Sequence, residues 1–185
     1  MRAASSSIPI AKGDAGVKEL SVKVTIAFLS IFMAAGLTMV TVYNTLVDAK
    51  SWGSDIPTSI QTARNYYAHV DPRRFYLVVG PPTVLLGVLT TILFWRDAVS
   101  LRLLFGASAA CYVAIVLLTI FYFVPRDLIL FRSPLQEHLD EIRVAAGQWS
   151  RMNWARTLLG CAGVLCSMRA LDLYYAMLIE TLSRR

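Results

Sequence analysis

The sequence predicts an all-α integral membrane protein: a four-helix bundle with short extramembrane helices in loops one and three. Three observations predict it. Four apolar stretches, residues 24–43, 75–94, 103–124 and 154–178, each reach the roughly 20 residues needed to cross a hydrocarbon core about 30 Å thick. The 185-residue chain is 56% hydrophobic and only 16% charged, against about 25% charged in soluble domains, so lipid is its main solvent. Nearly all the unusual polar residues gather at one end of the four stretches. Lipid offers the backbone no hydrogen bonds, and helices close their ladder within each span.

Residues 1–20 (MRAASSSIPIAKGDAGVKEL) are small, polar and basic and read as a mobile tail before a single domain over residues 21–185. The first apolar stretch begins too late and runs too long for a cleaved signal peptide. The formal charge is +6, but Lys and Arg are scattered over termini and loops and form no stripe. That excludes nucleic acid and points to the bilayer and its anionic headgroups as partner. Eight Lys and Arg fall on each side of the predicted membrane, packed into shorter segments on the side of the termini. Short loops weigh most in setting orientation. Both termini are therefore expected in the cytoplasm, in a bacterial-type inner or plasma membrane.

The first span carries Ala34, Ala35 and Gly36 at mid-membrane, where small residues allow close helix approach. It is expected to end at Asn44 and Asp48. In loop one, Pro57 and Asp71-Pro72 bracket a short helix over 58–69, and Asp71 then caps the second span with Pro72 at its first position. Pro81-Pro82 inside that span removes the helical partners of the Leu77 and Val78 carbonyls and predicts a kink. The third span has a small-residue patch, Gly106 to Ala110, and closes at Pro125-Arg126-Asp127. In loop three, Ser133-Pro134-Leu135-Gln136 has the spacing of a capping box. It predicts a helix from 134 that runs into the fourth span. On that helix His138, Ile142, Ala145, Trp149, Asn153 and Arg156 follow spacings of three and four and share one face. Arg169 and Asp172, three apart near the far interface, are expected to pair. Cys111, Cys161 and Cys166 all lie within spans with no Cys-x-x-Cys pair, which reads as packing rather than thiol chemistry.

Four antiparallel spans bring Asn44, Asp48, His69, Arg73, Asp127, His138, Trp149, Asn153 and Arg156 to one membrane end. The only two histidines are among them. An imidazole titrates near neutrality and suits a general base or a metal ligand. Asn153 and Arg156 can donate to an oxygen that becomes negative during reaction, and Trp149 offers a flat apolar wall for an aromatic ligand. Asn44, Arg73 and Asp127 complete the expected binding set. The competing account makes Trp149 and the arginines interfacial anchors and the histidines loop residues.

The segment Gln148-Trp149-Ser150-Arg151-Met152-Asn153-Trp154-Ala155-Arg156-Thr157 resembles the Trp-x-x-x-Asn-x-x-Arg-Thr signature of anthrone-oxygenase-like proteins, small four-helix membrane proteins. Pro125-Arg126-Asp127 resembles that family's Pro-x-Asn after the third helix, with Asp in place of the usual Asn. The similarity extends over about 22–180, and the long helical first loop exceeds that of the simplest members. The resemblance implies an oxygenase or oxidoreductase acting on a hydrophobic aromatic or quinone-like molecule, with no strongly held cofactor. In that chemistry a base, His138 or His69, removes a carbon-bound proton. Asn153 and Arg156 hold the enolate oxygen, and Trp149 stacks on the ring.

Two other readings stand beside it. His69 and His138 supply two ligands to copper or haem in a membrane redox protein. Alternatively, the chain is a non-enzymatic membrane subunit or ligand-binding module, self-associating or joined to another membrane protein through its small-residue patches. The uncharged middles of the spans speak against a channel or ion pump.

Overall fold

The computed structural model describes residues 14–184, and every element among them is helical. Four helical runs are long and apolar enough to cross a membrane: Leu20–Trp52, Arg73–Leu93, Val99–Arg132 and Leu139–Ser183. α1 spans Asp14–Tyr43. Residues 14–20, expected in the tail, are therefore helical: no breaker follows Gly16, and Lys18, Glu19 and Leu20 favour helix. The rest of the expected tail lies outside the described residues.

The first span does not end at Asn44. It continues through a π turn, Asn44–Asp48, into α2, Ala49–Trp52. The polar side chains expected to stop the helix find partners inside the bundle instead. Thr45 Oγ1, for example, donates to the Thr41 carbonyl at 2.8 Å. α3 spans Thr58–His69, as the flanking prolines predict. α4 spans Arg73–Leu93, and the Asp71 carboxylate caps it by accepting the Arg73 N–H at 2.9 Å. α4 is one continuous element through Pro81-Pro82, where Thr83 Oγ1 donates to the Val79 carbonyl at 2.7 Å.

The third span also outruns its expected end. α5, Val99–Leu118, passes through a second π turn, Thr119–Phe123, into α6, Val124–Arg132. Pro125 has no N–H, and its ring crowds the carbonyl four residues back. The π turn opens the ladder just before it, with the Val124 N–H bonded five residues back to Thr119, so the helix absorbs the proline. The capping box at Ser133 does not form. The Ser133 carbonyl, which would have to accept the first bond of a new helix, accepts Arg64 Nη1 at 2.8 Å instead. Residues 135–137 make a turn, and α7 starts at Leu139, where Asp140 and Glu141 complement the helix N-terminus. α7 then runs unbroken for 45 residues to Ser183.

In the bundle α7 packs against α5 and α1, and α4 closes the square by packing against both. Glycines set the closest seams. At Gly160 a Cβ would sit 2.8 Å from Thr38 Oγ1, and at Gly163 it would sit 2.9 Å from the Tyr112 Cζ. One apolar cluster, with Phe94, Leu101, Phe105 and Tyr174, fills the end near the termini. A second, with Trp52, Ile60, Phe123, Leu130, Ile142 and Trp149, fills the opposite end. Between them runs a seam of buried Ser and Thr. Large apolar side chains such as Phe32, Leu77 and Phe121 are about three-quarters exposed (74%, 73% and 75%), as a lipid-facing surface requires. Arg169 donates to Asp172 as its spacing predicts.

Candidate functional site

The helical face read from the sequence is the buried face of α7: Ile142, Ala145, Trp149, Asn153 and Arg156 are all inside, joined by Thr157. Asn153 is 0% exposed. Its Nδ2 donates to Thr45 Oγ1 at 2.7 Å and to the Thr41 carbonyl at 3.3 Å. Thr157 Oγ1 lies 2.9 Å from Thr45 Oγ1 and donates to the same Thr41 carbonyl at 3.3 Å. Its amide nitrogen thus bonds to α1 and its π turn, and its Oδ1 is a buried acceptor with no hydrogen-bond partner.

One turn further on, Arg156 is 5% exposed. Its guanidinium carbon sits 4.3 Å from the Phe123 ring centroid, 5.4 Å from Trp149 and 6.0 Å from Tyr76. Aromatic faces surround the cation, and its Nε has no hydrogen-bond partner. The opposite charge that acts on it is the Asp127 carboxylate, through space. Asp127, in the first turn of α6, accepts the Trp149 Nε1–H at 2.9 Å.

The π turn of the first span adds a third group. It presents both Asn44 and Thr45 to the interior. With the Asn44 amide turned to satisfy its neighbours, its oxygen accepts the Tyr76 O–H at 2.5 Å. Its nitrogen donates to Asp48 Oδ2 at 2.9 Å and to the Val40 carbonyl at 3.2 Å. Phe123, under the guanidinium, comes from the other π turn.

The structure thus brings together Asn44, Asp127, Trp149, Asn153 and Arg156. Trp149 is not an open wall: Trp52 and Phe123 pack on its ring at centroid distances of 4.8 and 5.3 Å. Three expected residues lie elsewhere. Arg73 is exposed and bonded to Asp71, whose carboxyl its guanidinium and backbone N–H hold down at about 2. His69 is exposed at the end of α3. His138 precedes α7, with Nδ1 3.2 Å from Glu141 Oε2. Seventeen helical steps separate Leu139 from Arg156, about 25 Å along the axis, so no small molecule touches both His138 and Arg156.

His69 is exposed and His138 partly so, and among the described residues no group of three His, Cys, Asp or Glu side chains is placed to hold a metal ion. Tyr76, Thr45, Thr41 and Phe123 were missed in the sequence. Only Thr157, inside the Arg-Thr motif, carried a signal.

A protein-family model described as anthrone oxygenase matches residues 73–166, half of the chain, and spans α4 to the site-bearing part of α7. No curated protein and no solved structure matches the chain.

Proposed function

Because the chain belongs to the anthrone oxygenase family, we propose that it is a membrane-embedded oxygenase acting on a hydrophobic aromatic or quinone-like molecule through an enolate. The observation that carries the reading is Arg156, a buried guanidinium with an unpartnered Nε and three aromatic rings beside it. A lone cation is expensive to bury. A ligand oxygen that gains negative charge answers that cost and is stabilised far more here than in water.

The base is Asp127. Trp149 orients one of its oxygens, which leaves the other to take the proton. Proton transfer from an activated CH2 to Asp127 gives the enolate, whose oxygen Arg156 holds. The carbanion carbon adds dioxygen, and the resulting peroxide takes a proton to become a hydroperoxide. Loss of water then leaves a carbonyl, so that CH2 and O2 become C=O and H2O. Dioxygen is the only oxidant required. Asn153 Oδ1 accepts an O–H from the ligand or from a bridging water.

The test is oxygen uptake by the protein in mild detergent with an anthrone, with the product identified as the corresponding quinone. Uptake that depends on Arg156 supports the reading. Absence of uptake with anthrones and quinols, together with a stable membrane partner in a pull-down, points to the non-enzymatic module instead.

A further inference from the structure

We infer that the cleft at the end of the bundle away from Arg156, between the start of the first span and the α4–α5 turn, binds the phosphate of an anionic phospholipid, with an acyl chain along the outer face of α4. The inference is independent of the oxygenase reading. The cleft has a volume of about 550 Å³ and is lined by Lys23 of α1, Ile92 and Leu93 of α4, and Trp95 and Arg96 of the turn. Small-molecule sites span roughly 300–1,000 Å³.

The cleft is cationic because the nearby carboxylates are already answered. Lys23 Nζ lies 3.7 Å from Asp97 Oδ2, and the Asp97 side chain is only 4% exposed. Asp172 and Glu180, on the same end of α7, accept from Arg169 and Arg184. Arg96 and Arg102 are left over. Arg96 is exposed on the cleft wall. Arg102, in the first turn of α5, places its guanidinium carbon 5.1 Å from the Trp95 ring centroid. Among the described residues neither guanidinium has a carboxylate partner. The backbone adds to the field. α5 opens with no side-chain cap and no acidic residue in its first turn, so its N-terminus keeps a positive partial charge that favours an anion. The C-terminus of α4 would repel one, but the turn covers it: the Ile92 carbonyl accepts the Trp95 N–H at 3.1 Å, and the Phe94 carbonyl accepts the Asp97 N–H at 3.2 Å.

The apolar half of the cleft selects a lipid over free phosphate. From it, exposed Ile92, Leu89 and Leu85 follow each other along α4 at spacings of three and four and form one strip facing the hydrocarbon. Trp95, exposed beside them, suits the headgroup layer. A phosphate ester carrying an acyl chain engages the arginines, the indole and the strip together. Inorganic phosphate engages only the arginines. Residues 1–13 do not answer the charge, since they carry Arg2 and Lys12 and no acidic side chain.

The test uses the full-length protein, stripped of lipid in a mild non-ionic detergent at low salt. The probes are dioleoylphosphatidylglycerol, dioleoylphosphatidylcholine with the same chains, and inorganic phosphate. Bound lipid is counted by native mass spectrometry, and affinities come from titration. The wild-type protein is expected to hold one phosphatidylglycerol about tenfold more tightly than phosphatidylcholine. Arg96→Gln should weaken phosphatidylglycerol about fivefold, and Arg96→Gln with Arg102→Gln about 30-fold, the order expected for one and two basic residues facing an anionic headgroup. Arg96 is exposed, so the single variant stays informative if the double variant misfolds. Arg74→Gln removes the same charge at the other end of α4 and should leave the affinity unchanged. Equal affinity for the two lipids, full affinity in both arginine variants, or an equal loss in Arg74→Gln overturns the inference. Inorganic phosphate that binds as tightly as phosphatidylglycerol overturns it too, by making the site one for a free anion.

Discussion

Replacing Arg156 with Met separates a residue kept for chemistry from one kept for the fold. Methionine has nearly the same reach and no charge. Taking a guanidinium out of water still costs several kcal/mol after relaxation. What offsets that in the folded protein is modest. The cation lies 4.3 Å from the Phe123 centroid, an interaction worth about 0.5–2 kcal/mol, and Asp127 attracts it without an ion-pair contact. Its Nε makes no hydrogen bond at all. Arg156→Met should therefore be neutral to about 3 kcal/mol more stable, since apolar replacement of buried charge commonly has that sign. Turnover should fall about 100- to 1,000-fold, the loss found when one preorganised oxyanion donor is removed. The assays are thermal unfolding in detergent and oxygen uptake with an anthrone, normalised to folded protein. A lower melting temperature with full turnover in the folded fraction would refute the reasoning, because Arg156 would then be a structural cation.

Asp127→Asn keeps an acceptor for the Trp149 N–H but removes the proton acceptor; kcat should drop at least about 100-fold, within the range general-base removal gives, with KM little changed. Unchanged kcat would return Asp127 to a holding role, consistent with the Asn usual there. Gly163→Ala places a methyl 2.9 Å from the Tyr112 Cζ and 3.2 Å from the Cys111 Cβ, and should destabilise the α5–α7 seam by about 1–3 kcal/mol, measured by thermal unfolding. Gly147→Ala in the same helix meets nothing within 4 Å and should stabilise by about 0.5–1 kcal/mol. Arg64→Met removes the 2.8 Å bonds to the Leu130 and Ser133 carbonyls; faster proteolysis between α6 and α7 is expected, with the spans intact. The Asp71 carboxyl titrates lower in the folded protein than in the unfolded chain. Its capping contribution is therefore complete above the unfolded value of about 3.9 and is lost only as pH falls through about 2. Amide exchange at Arg73 reports it.

The spans and their order were legible because the hydrocarbon thickness imposes a length that chance rarely satisfies four times. The buried face of α7 was legible for a similar reason: spacings of three and four keep Trp149, Asn153 and Arg156 on one line over two turns. What misled was local punctuation. Pro125, the Ser133 capping box and the polar Asn44–Asp48 segment all read as helix ends; the π turn before it absorbed Pro125, and partners distant in sequence overruled the other two. Ser133 gave its carbonyl to Arg64, 69 residues away, and Asn44 gave its amide oxygen to Tyr76, 32 residues away. His138 was misplaced by the same error. A helix starting at 134 puts it in register with Asn153, but register says nothing of the axial distance that separates it from Arg156.

The two π turns explain why the overruling occurs where it does. A π turn inserts an extra residue into a helix and rotates everything beyond it, and such turns are common at functional sites. The first carries two consecutive buried residues, Asn44 and Thr45. The second seats Phe123 under Arg156 and lets the chain pass Pro125 with Asp127 still helical and in reach of Trp149. Two of the four spans thus contribute to one buried locus through deviations from helical regularity, α7 contributes Trp149, Asn153 and Arg156 from an unbroken helix, and the second span contributes Tyr76 from the first turn of α4. Each deviation makes its own helix less regular than a plain apolar span would be. Such irregularity is tolerated in lipid only where protein groups take over the freed bonds, and beside the first π turn the Thr41 carbonyl accepts Asn153 Nδ2 and Thr157 Oγ1 from α7. A bundle built only to hold four helices together would keep its ladders straight at this depth. The distortions converge on Arg156, a buried cation whose Nε has no hydrogen-bond partner, which is where a ligand's charge is expected.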